Sequence, residues 1–530
     1  LDPGDYIFRL QKNSHEEIEN FTMTLGSIKH YDKDAVTGAD VKPLFSPGDG
    51  IWDGTRDDAD YYSNFRNSFV SPESSMVLMT RADFEGTFPK APTPDDLKFS
   101  DEALFIINSQ AAFTSFNDLK TDPWYMAKED VPQHWTQASA ADVAARVGGK
   151  TPVQLWDMVN VPFDDPSWDA FINQLTWDEM KLLINNSAQN AVASIGRPQS
   201  ANADGPGAFP NSQNGGSGGG VGTHWIAAAN LAATFDINYA ERVGRLQGEH
   251  SLWNGAQGWY GPALQMHRSP AAGRNFEYFS QDPLLTGLMG AYQVKGATST
   301  GTIVYMKHLF LNEQETSRYS LFTFADEQTM REIYVRAFEW AIKFGNANST
   351  MSAYPSSGLV HPTSNYNLYE RLLHDEWGFT GYSITDFYNN DNTFTTANMS
   401  TRANQVPLNS WQNNFGRSMD GVWDEEKNVL VVAMPSFTTY NPQEVNGGAS
   451  RAYKDAITGE PASQLYMTAE AALADGYIPY ETGDTIEAYT QWAAYRNLVH
   501  RILYTTVNSN VMMNGLVAPP WSVTTPATLY

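Results

Sequence analysis

The sequence predicts an α/β protein built on a parallel sheet. Strand-like runs at 302–309, 349–354 and 381–386 are rich in β-branched and aromatic side chains and alternate with helical patterns at 326–344 and 366–376. Strands separated by helices of this length pair in parallel, so we expect their carboxyl ends to meet on one side of the sheet.

The region 166–530 is long enough for one TIM-like (β/α) barrel with insertions. An early helix is marked by Thr176, which is followed three residues later by Glu179, the pattern of a capping box. A later helix shows apolar residues at helical spacing and ends near Gly345, where a C′ glycine belongs. An amphipathic pattern at 486–506 predicts a final helix that closes the domain.

Two further parts precede this region. Segments 5–10 and 21–28 are strand-like, and two or three such strands cannot bury a core by themselves. We therefore expect residues 1–41 to be the end of a β-sandwich that further polypeptide completes. Residues 42–165 mix Pro, Asp, Gly and aromatic residues with little periodicity, which predicts a long wrapping connector.

Composition narrows the classes of function. A net charge of −26 disfavours nucleic acid and anionic membrane surfaces as partners, so a neutral substrate fits better. The chain has no Cys, which excludes disulfides, thiolate nucleophiles and Cys-ligated metal sites. We expect no cofactor, no metal and no membrane insertion, while a cytoplasmic or secreted location stays open. The Gly-rich run at 214–222 lacks the ending of a phosphate-binding loop, which favours a surface loop.

Asp386 is the most informative single residue, because it ends a predicted buried strand, where barrel enzymes carry their catalytic groups. Other predicted strand ends and loops also carry polar residues, namely Asp204, Arg274, Lys307, His308 and Tyr354. Taken singly, each has a structural interpretation; Arg274, for example, can pair with Glu277 or Asp282. Since a barrel brings its strand ends around one mouth, we expect the whole set to converge on one sugar ring.

Several long motifs resemble glycoside hydrolase family 3 and occur in the family's order. They are MHRSPAAGRNFEYFSQDP at 266–283, KH at 307–308 with NEQE at 312–315, and WGF at 377–379 leading to TD at 385–386. The resemblance spans roughly residues 175 to 515. It implies a β-glucosidase-like enzyme of the subgroup whose sandwich domains precede the barrel, and residues 2–41 resemble the end of its fibronectin-like domain.

The resemblance also implies a role for each matching position. Asp386 matches the nucleophile that forms the covalent glycosyl-enzyme, Asp204 matches the carboxylate that binds the distal hydroxyls of the nonreducing sugar, and Tyr354 matches the tyrosine beside the nucleophile. Its other hydroxyl ligands are matched by Arg274, Lys307 and His308. Phe387 stands where the family usually has Trp, so the apolar face is kept and the indole donor is lost.

The sequence lacks an evident source for the second catalytic group. In the family, the acid/base Glu comes from an α/β sandwich domain, so we expect a partner chain or an N-terminal segment to supply it. The in-chain candidate is Glu85, but its surroundings resemble the connector, which favours a structural role. The resemblance thus implies a retaining, exo-acting β-glycosidase, with β-glucosidase as the expected activity. The alternative is a non-catalytic carbohydrate-binding or structural subunit that keeps the pocket.

Overall fold

The computed structural model describes residues 3–13, 15–29, 31–42, 44–45, 83–87, 153–184, 186–205, 207, 211–212, 224–316, 318, 321–323, 325, 327–357, 362, 367–384, 386, 421–424, 429–432, 453–455, 477–479 and 486–512. Most of the predicted connector at 42–165 and the Gly-rich run at 214–222 therefore lie outside the described residues.

The described strands are β1 (Gly4–Asn13), β2 (Glu16–Leu25), β3 (Asn202–Asp204), β4 (Asn211–Ser212), β5 (Gly258–Tyr260), β6 (Ile303–Leu309), β7 (Phe322–Thr323), β8 (Ser349–Ser352), β9 (Ser356–Ser357), β10 (Tyr382–Ile384), β11 (Gly421–Asp424), β12 (Val429–Val432), β13 (Tyr453–Asp455) and β14 (Tyr477–Pro479). The described α-helices are Phe84–Thr87, Ser167–Ile172, Trp177–Ile184, Ala228–Ala232, Ile237–Trp253, Pro283–Thr298, Glu327–Thr329, Arg336–Gly345 and Ile486–Val507, with π-helices at Met330–Tyr334 and Asn367–Glu376. Short 3-10 helices occupy Leu155–Met158, Asn186–Ala188, Ala193–Ile195 and Asn275–Glu277.

A mixed sheet with the strand order β10-β8-β6-β5-β3-β4 forms the centre. The strands β3, β5, β6, β8 and β10 run parallel, and only the edge strand β4 is antiparallel to its neighbour. This confirms the predicted α/β fold with a parallel sheet. Closure of the sheet into a complete barrel stays a prediction.

Both faces of this sheet are buried, as expected for parallel strands covered by helices. Along β5, Trp259 packs in the layer between the sheet and the outer helices, whereas its neighbour Tyr260 packs in a second core. The same alternation holds in β6, where Val304 belongs to the first core and Tyr305 to the second. The C-terminal helix Ile486–Val507, which was predicted at 486–506, contributes to the second core.

The outer helices approach one another at backbone contact. A Cβ on Gly244 would lie 1.9 Å from the carbonyl oxygen of Gln293, and a Cβ on Gly296 would lie 2.0 Å from that of Glu241. Only glycine fits at such a crossing, so these two positions set the close packing of helices Ile237–Trp253 and Pro283–Thr298.

Two of the predicted helices agree with the structure to different degrees. The capping box is confirmed, since the backbone N–H of Thr176 donates to Glu179 Oε2 at 2.8 Å and that of Glu179 donates to Thr176 Oγ1 at 3.2 Å. The helix predicted at 326–344 is instead divided, with a π-helical turn before Arg336–Gly345.

The assignment of Gly345 as the C′ residue is wrong. Gly345 lies in the last turn of its helix, and Asn346 adopts the left-handed conformation with φ 53°. Gly345 is instead a contact position, because a Cβ there would lie 2.7 Å from the carbonyl oxygen of Ala291. Asn is among the residues that tolerate left-handed backbone, which explains its place at this helix end.

The N-terminal strands β1 and β2 form an antiparallel hairpin. The side chains of Phe8 and Phe21 face each other across it and are 57% and 66% exposed. The segment that follows packs against the α/β domain, where Thr37 Oγ1 donates to the Glu376 carbonyl oxygen at 2.6 Å and Lys343 pairs with Asp34. Within the described residues, no helix is long and apolar enough to cross a membrane.

Candidate active site

The predicted site residues lie at the carboxyl ends of neighbouring parallel strands. Asp204 is the last residue of β3, and Lys307 and His308 lie near the end of β6. Strands β8 and β10 end two residues earlier than predicted, so Tyr354 and Asp386 lie in the loops that follow them. Phe387 lies outside the described residues.

Backbone pairing places the loop after β5 against β6. The backbone N–H of Lys307 donates to the Pro262 carbonyl oxygen at 3.0 Å, and that of Leu264 donates to the Lys307 carbonyl oxygen at 2.7 Å. The same loop continues to Arg274, which precedes the 3-10 helix Asn275–Glu277. Arg274 reaches the end of β6, where its Nη2 lies 3.3 Å from His308 Nε2.

Lys307 lies at the centre of the charged cluster. Its side chain is 3% exposed, and its Nζ lies 2.7 Å from Asp204 Oδ1 and 4.0 Å from Glu277 Oε2. Burial lowers the pKa of Lys307, but the two carboxylates raise it by more, so the amine stays protonated.

Asp204 is the carboxylate partner of this ammonium. Burial raises the pKa of Asp204, but the Lys307 ammonium, the Gly205 backbone N–H and the Arg274 guanidinium together lower it by more, so the pKa is below its usual range. The Asp204 side chain is nevertheless 61% exposed. Its position thus combines a fixed ion pair with access for a ligand.

Arg274 joins the carboxylates of this cluster. Its Nε donates to Glu277 Oε1, and its Nη1 lies 3.6 Å from Glu315 Oε1. Burial lowers the pKa of Arg274, but Tyr278 and the carboxylates of Glu277, Asp386 and Glu315 raise it by more. The ion pair with Glu277 that the sequence suggested is confirmed, and Arg274 also lies within the field of Asp386.

His308 connects Asp386 with this cluster. Its Nε2 lies 3.4 Å from Asp386 Oδ2 and 3.3 Å from Arg274 Nη2. Burial, followed by the charges of Arg274, Lys307 and Arg318, holds the pKa of His308 well below its usual range. The imidazole is therefore neutral, and its contact with Asp386 is not an ion pair.

Tyr354 joins the cluster through residues that the sequence reasoning missed. The guanidinium carbon of Arg318 lies 4.4 Å from the centre of the buried Tyr354 ring, the geometry of a cation–π contact. Arg318 Nη1 also lies 2.7 Å from Glu315 Oε2, the carboxylate that approaches Arg274. Glu315 belongs to the NEQE motif, which is the one sequence signal that could have identified it.

Charged groups of both signs thus converge with a neutral imidazole at one side of the sheet. Such a set of donors and acceptors suits a neutral ligand with many hydroxyl groups, since each hydroxyl both donates and accepts. Among the described residues, no group of three or more His, Asp or Glu could hold a metal ion.

The in-chain acid candidate Glu85 has different surroundings. It is exposed on the short helix Phe84–Thr87, which is capped by Asp83 through a bond to the Gly86 N–H at 3.0 Å. No contact described for Glu85 reaches the charged cluster.

Comparison with known proteins adds independent information. The model of the glycosyl hydrolase family 3 N terminal domain matches residues 185–409, a segment that contains the whole cluster. Beta-glucosidase B of Emericella nidulans is 37% identical over 167 residues, covering 32% of this chain and 20% of that protein. A beta-glucosidase of Rhizobium radiobacter is 32% identical over 271 residues, covering 50% of this chain and 31% of that protein.

Solved structures of two similar proteins give weaker likenesses. Beta-glucosidase 3B from Thermotoga neapolitana matches with a TM-score of 0.43 and 26% identity, covering 66% of this chain and 43% of that one. A beta-glucosidase from Paenibacillus barengoltzii matches with a TM-score of 0.48 and 22% identity, covering 75% and 37%.

The matched segments span less than a third of the two relatives' own lengths. The family model covers the cluster, and both relatives are named as beta-glucosidases. Residues 185–409, which contain the cluster, are therefore similar to the N terminal domain of glycosyl hydrolase family 3.

Proposed function

We propose that the chain carries the sugar-binding and nucleophilic part of a retaining, exo-acting β-glycosidase, with β-glucosidase as its activity. The observation that carries the proposal is the position of the Asp386 carboxylate, which contacts His308 at 3.4 Å within the cluster that also holds Asp204 and Lys307. The names of the relatives, which are beta-glucosidases, support a glucoside as the substrate.

In this proposal Asp386 attacks the anomeric carbon as an ionised carboxylate. A new bond forms from the carboxylate oxygen to that carbon while the bond to the leaving oxygen breaks, and water later releases the sugar from the enzyme. Asp386 is 14% exposed, which leaves it open to a ligand while limiting competing solvent.

The cations and Asp204 bind the hydroxyls of the nonreducing sugar. The Lys307 ammonium and the Arg274 guanidinium donate hydrogen bonds to the sugar hydroxyls. The exposed oxygen of Asp204 accepts hydrogen bonds from those hydroxyls. The proposal gives Tyr354, whose ring contacts Arg318, the role of the tyrosine beside the nucleophile. It gives Phe387, which lies outside the described residues, the role of an apolar platform for the sugar. In this assignment the cations act as hydrogen-bond donors and the carboxylate acts as an acceptor, as they do in their existing ion pairs.

The acid/base comes from another polypeptide segment in this proposal. Retaining hydrolysis needs a second carboxyl group about 5 Å from the nucleophile. Within the described part of the cluster, the other carboxylates are each held by a cation: Asp204 by Lys307, Glu277 by Arg274, and Glu315 by Arg318. Each of these carboxylates is therefore already engaged in an ion pair. We therefore assign the acid to an N-terminal segment or partner chain with an α/β sandwich domain, with Glu85 as the in-chain alternative.

The finer architecture follows the same proposal. Residues 166–530 form a closed (β/α) barrel, residues 42–165 wrap around it, and residues 1–41 complete a fibronectin-like β-sandwich. The exposure of Phe8 and Phe21 on the hairpin supports this arrangement, because further strands packed on that face would remove their apolar surface from water.

The replacement Asp386→Ala tests the function. An enzyme of this mechanism loses turnover of an aryl β-glucoside by a factor on the order of 10⁴, because no covalent intermediate can form. Retained turnover in Asp386→Ala would refute the assignment of the nucleophile.

A carbohydrate-binding subunit is the second candidate, and the cation-held carboxylates are the observation that favours it. It predicts that the unmodified chain binds glucose but shows no turnover even when the upstream polypeptide is supplied. Glucose affinity that is unchanged in Asp386→Ala, with turnover absent from both proteins, would support this candidate over the enzyme.

A further inference from the structure

The side chain of Gln265 lies behind His308, on the face away from Asp386. Gln265 is fully buried in the loop after β5. Its Oε1 lies 3.4 Å from the backbone nitrogen of His308 and 3.3 Å from His308 Nδ1. One amide group therefore contacts both the backbone and the ring of the same histidine.

The backbone contact identifies which amide atom faces His308. A backbone N–H can only donate, so the atom that it meets must be the amide oxygen and not the amide nitrogen. The same oxygen lies against Nδ1. Because a carbonyl oxygen only accepts, Nδ1 must carry the proton.

The second ring nitrogen is then unprotonated. The imidazole is neutral, so with a proton on Nδ1 the Nε2 atom presents a lone pair. Arg274 Nη2 lies 3.3 Å from Nε2 and donates to it. Asp386 Oδ2, at 3.4 Å, receives no proton from this nitrogen.

The charged groups around the ring favour the same state. Arg274, Lys307 and Arg318 place three cations near it, and the one carboxylate in contact is Asp386 among the described residues. The Tyr278 hydroxyl lies 3.5 Å from Nδ1, farther than Gln265 Oε1. A second ring proton would therefore face three positive charges and one negative charge.

We propose that Gln265 is a positioning residue that fixes His308 as the Nδ1–H tautomer, so that Nε2 faces Asp386 and the pocket as an acceptor. The role given to Asp386 rests on the proposed function, whereas the tautomer itself does not. Because Nε2 is an acceptor, His308 donates no hydrogen bond to the Asp386 carboxylate, and the lone pairs of that carboxylate are not engaged by this ring. The acceptor state also means that a ligand hydroxyl that reaches Nε2 can only donate its hydrogen bond, in competition with Arg274 for the one lone pair.

The tautomer can be read directly by ¹⁵N NMR of the full chain with labelled histidine, using His308→Gln to identify the signals. We expect a protonated Nδ1 and an unprotonated Nε2 in the unliganded protein. Gln265→Met removes the acceptor at similar size, so we expect the Nε2–H form to appear. Gln265→Glu keeps an acceptor oxygen, so it preserves Nδ1–H and moves the protonation of His308 to higher pH.

Gln293→Met is the matched control, because Gln293 is a buried glutamine that donates to Gln247 at 2.6 Å, away from His308. It should leave the His308 signals unchanged. A protonated Nε2 in the unmodified chain, or His308 signals that are the same in Gln265→Met, would overturn the proposal. If Gln265→Met does not fold, the pH shift in Gln265→Glu decides, and its absence refutes the proposal.

Kinetics add a readout that a purely structural role would not change. With an aryl β-glucoside, we expect Gln265→Met to lower kcat about tenfold with little change in KM, and Gln265→Glu to retain activity at alkaline pH. Unchanged kcat in a Gln265→Met protein whose tautomer has switched would refute the link to Asp386 while leaving the tautomer assignment intact. Failure of the proposed function would appear separately, as turnover that survives Asp386→Ala.

Discussion

Two buried polar regions occupy the same strands and differ in kind. The charged cluster at the strand ends contains ammonium, guanidinium and carboxylate groups, and its Asp204 and Asp386 are open to ligand. Two residues earlier on β6, Tyr305 begins a neutral network. Its hydroxyl lies 2.5 Å from that of Tyr382, and Asn202 Nδ2 donates to Tyr305 at 3.3 Å.

The hydroxyls of the three tyrosines in this network are hydrogen-bonded within the fold. Burial raises the pKa of Tyr260, Tyr305 and Tyr382, so the three phenols are neutral. The adjacent Arg197 is buried and donates to backbone carbonyls, including that of Pro198 at 3.0 Å, and burial lowers its pKa to about 10. Groups that satisfy one another in this way stabilise a fold, whereas charges held at an open edge are available to a ligand.

The largest expected effect concerns the leaving group. If the acid/base lies outside this chain, the chain alone should hydrolyse an activated aryl glucoside on the order of 10²- to 10⁴-fold faster than cellobiose, because only the aryl group leaves without a proton. Parallel kcat/KM measurements on both substrates check this. Equal values would mean that the described cluster, or Glu85, supplies the acid.

Lys307→Met should lower kcat/KM on the aryl glucoside by a factor on the order of 10². The change removes a buried donor and leaves Asp204 without its 2.7 Å partner. Lys295→Met is the matched control, since Lys295 pairs with Glu241 on the surface at 3.1 Å. A loss of equal size in both variants would contradict the distinction between the cluster and other ion pairs.

Glu313 should destabilise the protein at alkaline pH. Glu313 lies after β6 and is buried, as the tyrosines are, but it is ionisable, as the residues of the charged cluster are. Burial raises its pKa to about 8, although the charge of Arg268 lowers it. An acid whose folded pKa is raised binds its proton more tightly when folded, so the stability it allows below its usual pKa of 4.5 is lost as the pH rises toward 8.

Glu313→Gln should therefore raise the free energy of unfolding at pH 8 by an amount on the order of 3 kcal/mol, with little change at pH 5. Urea unfolding at both values measures it. Burial raises the pKa of Glu370, but its 3.0 Å contact with His374 and the charges of Arg501 and Arg371 lower it by more, so the control Glu370→Gln should not stabilise the protein at pH 8. An equal effect of Glu313→Gln at both pH values would contradict the pKa argument.

Tyr305→Phe should have the smallest effect. Losing its hydroxyl removes bonds to Tyr382 and Asn202, which should cost about 1 to 2 kcal/mol of stability without changing kcat. Tyr239→Phe, at a half-exposed helix position, should change neither quantity. A drop in kcat for Tyr305→Phe comparable with that of Lys307→Met would show that the two regions are not separable.

The parallel sheet could be predicted because its strands are short apolar runs divided by amphipathic helices. The exact ends of these strands could not be predicted. The strand-like sequence continues to Tyr354 and Asp386, but the strands end at Ser352 and Ile384. The role of Gly345 could not be predicted either, because Gly345 packs against Ala291, which is far away in the sequence.

The convergence of the polar residues was partly predictable. Strand-end reasoning and the quoted motifs anticipated that Asp204, Lys307 and His308 lie together, and their roles remain proposals. Gln265 and Arg318 could not be identified, because a single amide or guanidinium in a loop has no spacing that distinguishes it. Their positions depend on the pairing of one loop with β6 and on a contact with a side chain after β8.

The most direct test of the central claim is covalent trapping. Incubation with a 2-deoxy-2-fluoro-glucoside carrying an activated leaving group should add one fluoroglucosyl unit to the chain, and peptide mapping by mass spectrometry should place it on Asp386. An adduct on any other residue, or none on a chain that turns over the aryl glucoside, would contradict the account.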